Sequence, residues 1–118
     1  MTDVYTLGVE EEYQLVDPKT RELCGRAGKI FKATQDEDNL VYRELHRCQI
    51  EIATDVCTSL KTLRQELQRS RRIVIEAAQA QQVAVVAAGT HPFSRWQDQS
   101  LTQKQRYIKL AKDLKQVV

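Results

Sequence analysis

Hydrophobic and polar positions change their period along this chain, and each period predicts a different element. From Val4 to Val16 they alternate, which predicts a first strand. Leu7, Val9, Glu11, Tyr13 and Leu15 then share one mostly apolar face, and Gly8, Glu10, Glu12, Gln14 and Val16 share the other. Asp17-Pro18-Lys19-Thr20 predicts a turn, through a side-chain cap and a fixed φ. Arg21–Cys24 is expected to return as a strand, broken by Gly25-Arg26-Ala27-Gly28. Lys29–Ala33 fits a short helix or an extended piece, and Thr34–Asn39 reads as a polar, exposed loop. Order resumes over Leu40–Ile52, where Gln49-Ile50-Glu51-Ile52 predicts a strand with its isoleucines on one face.

Between Thr58 and Gln82 the period becomes helical. Leu60, Leu63, Leu67, Val74 and Ala77 fall on one face, and Thr58 or Ser59 is placed to cap the helix. Lys61, Arg64, Gln68 and Arg72 lie opposite as a solvated stripe, with phosphate binding the alternative. Gln82–Ala88 is an unbroken apolar run and predicts a central strand buried on both faces. Gly89-Thr90-His91-Pro92 ends it, and Phe93–Ser100 is a loop holding Trp96. Ser100 or Thr102 is expected to cap a last helix in which Tyr107, Ala111 and Leu114 share a face. The ending at Val117-Val118, apolar and without a stop signal, suggests a piece of something longer.

Composition narrows the function classes. The chain has 118 residues, which suits one small domain or part of a larger one. A net charge of +2 argues against a dedicated nucleic-acid binder. The Lys61/Arg64/Arg72 stripe gives an RNA-binding reading little support. No apolar run approaches the roughly 20 residues that span a bilayer, and no secretory leader is visible, so a cytoplasmic protein is the expectation. The cysteines Cys24, Cys48 and Cys57 are odd in number and form no Cys-x-x-Cys pair. Reduced, buried thiols are expected rather than a zinc site.

The candidate chemistry begins at Glu10-Glu11-Glu12. Glu10 and Glu12 share a strand face, roughly 6.5–7 Å apart along the strand, and repel unless a positive group lies between them. A solvated polar face is one reading of that pair, and a hard divalent cation with oxygen ligands is the other. Glu11 points to the apolar face and reads as an edge or interface residue.

Three stretches carry a family resemblance: Gly8-Val9-Glu10-Glu11-Glu12-Tyr13, then Glu44 through Gln49-Ile50-Glu51-Ile52-Ala53-Thr54, then Gly89-Thr90-His91-Pro92-Phe93. With Arg106-Tyr107 further on, they resemble the N-terminal portion of the type 2 glutamate–cysteine ligases, the carboxylate–amine ligase family, from Thr6 to about Leu114. The resemblance implies an α+β fold: a glutamine-synthetase-like antiparallel sheet with helices packed on one face, here incomplete. It also implies that residues 1–118 form the N-terminal part of a catalytic domain.

The reaction it implies is ATP-dependent joining of glutamate to an amine, cysteine in the type enzyme, through an acyl phosphate, giving γ-glutamylcysteine, ADP and phosphate. Mg²⁺ or Mn²⁺ is the implied metal, since phosphoryl transfer is mostly positioning and charge neutralisation. By the family pattern Glu10, Glu12, Glu51 and Glu44 match metal ligands. Glu44 has the opposite parity to Glu51 and reaches the site only if the chain turns or bulges between them.

Thr54 is a candidate substrate contact. His91 either lines the substrate cleft or is a loop histidine bonded to backbone. Arg106 resembles a substrate- or phosphate-binding arginine, with a helix-surface salt bridge as the alternative. Full-length members are far longer, so this chain alone is expected to lack ligase activity, and exposed sheet edges predict a homo-oligomer. The competing reading is a non-catalytic oligomeric binding or regulatory module that retains the fold.

Overall fold

The computed structural model describes residues 4–35 and 40–114. Its elements in chain order are β1 (Glu10–Val16), α1 (Ala27–Ala33), β2 (Val41–Arg43), β3 (Gln49–Ala53), α2 (Leu60–Ala80), β4 (Ala84–Val86), a 3₁₀ turn at Trp96–Asp98 and α3 (Gln105–Asp113). The strands form one antiparallel sheet in the order β2-β3-β1-β4. This is the α+β class that the sequence predicts.

Alternation in β1 and β3 decides which face of the sheet is covered. Tyr13, Leu15, Ile50 and Ile52 point to one side, where they meet Ile30 of α1 and Val74 and Ala78 of α2. Leu40, Val41 and Val83 complete that core. The opposite face carries Glu10, Glu12 and Gln14 from β1 and Gln49 and Glu51 from β3. Glu12 stands directly across from Glu51, and Gln14 directly across from Gln49.

Helix α2 starts at Ser59, whose Oγ accepts from the Thr62 amide at 3.1 Å. Such a cap is worth about 1 kcal/mol. Leu63, Leu67, Ser70, Val74 and Ala78 turn inward, whereas Leu60 is 75% exposed, contrary to its expected place on the buried face. The burial of α2 centres on Ser70, Val74 and Ala78, so its first turn lies beyond the covered part of the sheet. Lys61, Arg64, Gln68 and Arg72 are exposed as expected. The helix ends with Gln82 at φ 57°, and the Val83 amide closes on the Ala78 carbonyl at 2.9 Å.

Several expectations are corrected. The first strand begins at Glu10 rather than Val4; Leu7 makes only an isolated bridge to Cys57. Arg21–Cys24 returns beside β1 through a single bridge, Val16 to Leu23, and forms no strand. Ala27 and Gly28 belong to α1, which settles Lys29–Ala33 as helical. Thr34 is buried at the end of α1, its Oγ1 donating to the Ile30 carbonyl, while positions 36–39 of the expected acidic loop lie outside the described residues, as do Val117 and Val118.

The run 82–88 supplies β4, which pairs only with β1 and lies at the sheet edge; Val86 is 39% exposed. An apolar run shows that a strand packs well, but not which neighbours it has. Neither Ser100 nor Thr102 caps α3: Lys104 holds the cap position without a side-chain bond, and Thr102 is buried with its hydroxyl donating to the Glu44 carbonyl. Tyr107 is the buried residue of α3, and Leu114 is exposed. Among the described residues no helix is long and apolar enough to cross a membrane.

Candidate functional site

The three consecutive glutamates have separate fates because β1 alternates. Glu11 turns to the helix side. There Arg71 of α2 donates Nε to its Oε2 at 2.9 Å and Nη2 to its Oε1, and the Tyr13 hydroxyl also donates to it. These bonds, led by Arg71's, hold the Glu11 carboxyl below its usual range despite some burial. Burial and the adjacent carboxylate push the Tyr13 hydroxyl well up. Glu11 is thus an interface residue, as its parity predicts.

Glu10 and Glu12 turn to the open face, where they join Glu51. Burial pushes the Glu51 carboxyl up, and the charges of Glu10, Glu44 and Glu12 push it further the same way. Directly opposed like charges on a sheet destabilise it by a few tenths of a kcal/mol or more, about 0.2–1 in size. The Glu12–Glu51 pair is such an opposition. Glu12 gains one partner, the Gln49 side-chain amide, which donates to its Oε1 at 3.1 Å.

Glu44 reaches the same place. The chain turns at residues 45–48, so Glu44 follows β2 on a separate strand from Glu51. Tyr42 stands across from Glu51 in the β2–β3 register, and Glu44 lies two residues on, on Tyr42's face. Parity counted along one continuous strand had set Glu44 apart; the hairpin reverses that count. Its Oε1 accepts from the Leu45 amide at 2.8 Å.

A polar cavity of about 350 Å³ collects these groups. Glu10, Tyr42, Glu44 and Glu51 line it from the sheet, and Lys104, Arg106 and Tyr107 line it from the start of α3. Tyr107 fixes that helix by donating its hydroxyl to the Arg43 carbonyl at 3.0 Å. Burial first, then the charges of Glu44 and Glu51, push the Tyr107 hydroxyl up, with Arg106 opposing. The Arg106 guanidinium carbon lies 5.2 Å from the Tyr107 ring centre. The cavity therefore has an acidic floor and a basic lip. Lys104, Tyr107 and Tyr42 are members that the sequence reading did not single out as site residues. The spacing of Lys104 and Tyr107 from Arg106 is the signal that places them with it.

Carboxylate oxygens are the ligand type that a hard divalent cation takes, and here burial first, then the neighbouring carboxylates, hold the Glu51 carboxyl up. Among the described residues, no three His, Cys, Asp or Glu side chains stand close enough together to hold an ion as they are. Closing around one requires side-chain rotation, and the exposed Glu10 and Glu12 have room for it.

The other candidates do not line this cavity. Thr54 follows Ala53, which lines the acidic cavity, and its Oγ1 accepts from the Val9 amide at 3.0 Å. His91 stands at the far end of the sheet face. Its Nε2 donates to the Arg21 carbonyl at 2.7 Å, and its Nδ1 accepts from the Ser94 amide at 3.0 Å. It is a backbone-bonded loop histidine, and it also lines a second cavity with Gln14 and Gln49. Cys24, Cys48 and Cys57 are free thiols, and burial pushes those of Cys24 and Cys48 up.

Comparison with known proteins shows the family. The model of glutamate–cysteine ligase family 2 matches residues 6–117. A protein of Jannaschia sp. named "Putative glutamate--cysteine ligase 2" is 43% identical over 97% of this chain and 30% of its own length. Like-named proteins of Roseiflexus sp. and Rhodopirellula baltica are 36% and 39% identical over 96% and 88% of this chain, each with 30% of its own length matched. The chain thus spans about 30% of the length of these relatives. Matched over almost all of its length by the family model, this chain belongs to glutamate–cysteine ligase family 2.

Proposed function

We propose that this chain supplies the metal-holding sheet face of an ATP-dependent carboxylate–amine ligase of glutamate–cysteine ligase type. The observation that supports it is the meeting of Glu10, Glu12, Glu51 and Glu44 on one face beneath Lys104 and Arg106. On this reading Glu10, Glu12, Glu51 and Glu44 would hold Mg²⁺ or Mn²⁺. When bound, the ion would neutralise charge on ATP phosphates during transfer to the glutamate γ-carboxylate.

The chain's own residues then divide the remaining work. Arg106 and Lys104 offer fixed positive charge at the cavity lip for phosphate oxygens. Thr54 Oγ1, occupied as an acceptor, keeps its hydroxyl proton to donate to a substrate oxygen. His91, bonded to backbone groups at both ring nitrogens, contributes a ring edge beside the substrates.

The relatives' names support glutamate and cysteine as substrates, with γ-glutamylcysteine the product. The proposal extends to a glutamine-synthetase-like sheet, to the cytoplasm as the setting that keeps the three thiols reduced, and to the chain alone being inactive. It also includes a homo-oligomer, because the outer edge of β4 pairs with no other described strand. Light scattering of the purified chain measures that assembly.

Calorimetric titration of the chain with Mg²⁺ and Mn²⁺ tests the metal site. A saturable isotherm is expected, weakened at least tenfold by Glu10→Gln combined with Glu12→Gln. Unchanged binding in that variant shows that the ligand pair is wrong.

A further inference from the structure

The sheet has two edges, and they are finished differently. β2 lies at one and β4 at the other. β2 ends in Arg43, whose carbonyl is already taken by the Tyr107 hydroxyl at 3.0 Å. β4 has no such guard. From Ala77 to Ser94 the chain holds no Asp, Glu, Lys or Arg, and β4 lies inside that stretch. Exposed edge strands are ordinarily protected by charges, proline or a covering element.

The backbone of β4 is set to pair. Leu15 spends its amide on the Cys48 carbonyl and its carbonyl on the Cys24 amide. Gln14 and Val16 therefore turn theirs toward β4, opposite Val86 and Ala84. Alternation leaves the Val85 amide and carbonyl on the outer edge, where no described strand meets them. The Val85 side chain lies across from Leu15, on the helix side. There Val85 and Ile75 of α2 line both of two adjoining grooves, of about 450 and 380 Å³. The first has no charged residue in its lining, and in the second the charged members, Glu11 and Arg71, are paired with each other. Ile75 is 46% exposed.

We infer that this edge docks a second copy of the chain, β4 against β4 about a two-fold axis, a conclusion that rests on the homo-oligomer reading above and gives it a surface. An antiparallel strand meeting its own copy is self-complementary: Val85 pairs with Val85 of the second copy, and the Ala87 amide meets the Val83 carbonyl. The two sheets become one, and on the helix side the Ile75 and Val85 side chains of both copies face one another across the junction. Charge selects this edge over the other exposed apolar surfaces. Leu60 and Leu63 at the start of α2 stand beside Lys61 and Arg64. Ile108, Leu110 and Leu114 stand among Arg106, Lys109 and Lys112. Two copies that met through either surface, or through one of each, would bring like charges together, whereas β4 brings none. A single unguarded edge also closes the assembly at two copies.

Sedimentation equilibrium of the full chain, in chelator and over a range of concentrations, tests the interface. A monomer–dimer equilibrium is expected. Val85→Pro removes the outward amide and keeps the bonds to β1, and should weaken the dimer by about tenfold or more. Ile75→Glu, on the exposed side of α2, sets two carboxylates face to face and should do the same if Val85→Pro fails to fold, which circular dichroism reports. Leu60→Glu, on the cation-flanked surface, should leave the dimer unchanged. A monomer at every concentration overturns both this inference and the homo-oligomer reading. An assembly indifferent to the folded edge variants, weakened as much by Leu60→Glu, or growing beyond two copies overturns this inference and leaves that reading standing.

Discussion

The two faces of the β1–β3 pair treat the same residue type in opposite ways. On the helix side Glu11 is clamped by Arg71 and its carboxyl is held low. On the open side burial first, then the charges of Glu10, Glu44 and Glu12, hold the Glu51 carboxyl high. The first arrangement neutralises charge within the fold and attaches α2 to the sheet. The second brings like charges together, which disfavours the folded chain by itself. A surface selected only for stability would not concentrate like charges in this way.

The contrast is broken most strongly from the core. Ile52→Ala, fully buried on the helix side, should cost about 2–4 kcal/mol in denaturant unfolding. Glu12→Ala on the exposed side should stay within about 0.5 kcal/mol. A comparable loss in both would show that the open face is structural.

Next in size, Arg71→Met should cost about 1 kcal/mol, a modest figure because the arginine is half exposed. The depressed Glu11 carboxyl lends stability that is present at neutral pH and lost as pH falls through its folded-state value. The variant should therefore lose less than the parent on acidification, as thermal melts across the acid range will show.

Glu51→Gln works in the opposite sense. Its raised carboxyl means that the folded state takes up a proton before the unfolded chain does, so stability falls as pH rises through the raised value. In chelator at neutral pH the variant should be more stable by about 0.5–1 kcal/mol. The smallest effect belongs to the scaffold: Gln82→Gly, at φ 57°, should stabilise by about 0.5 kcal/mol and leave cation binding untouched.

The division of the glutamate triplet was legible because alternation assigns Glu11 to one face and Glu10 and Glu12 to the other without reference to any other element. Glu44 was legible only on condition of a turn before Glu51, because parity holds within one strand and the turn at 45–48 starts a new count. The edge position of β4 was not legible, since strand order depends on pairings distant in sequence. Arg71 escaped notice beside Arg72 because it flanks the apolar stripe of α2, and its partner lies 60 residues away.

The central claim, that the open-face carboxylates are uncompensated until a cation binds, is tested most directly by melting the parent and Glu51→Gln with and without Mn²⁺. The account predicts a lower melting temperature for the parent in chelator, a clear rise on adding Mn²⁺, and little or no rise for the variant. A parent indifferent to Mn²⁺, or a variant that gains as much as the parent, would contradict it.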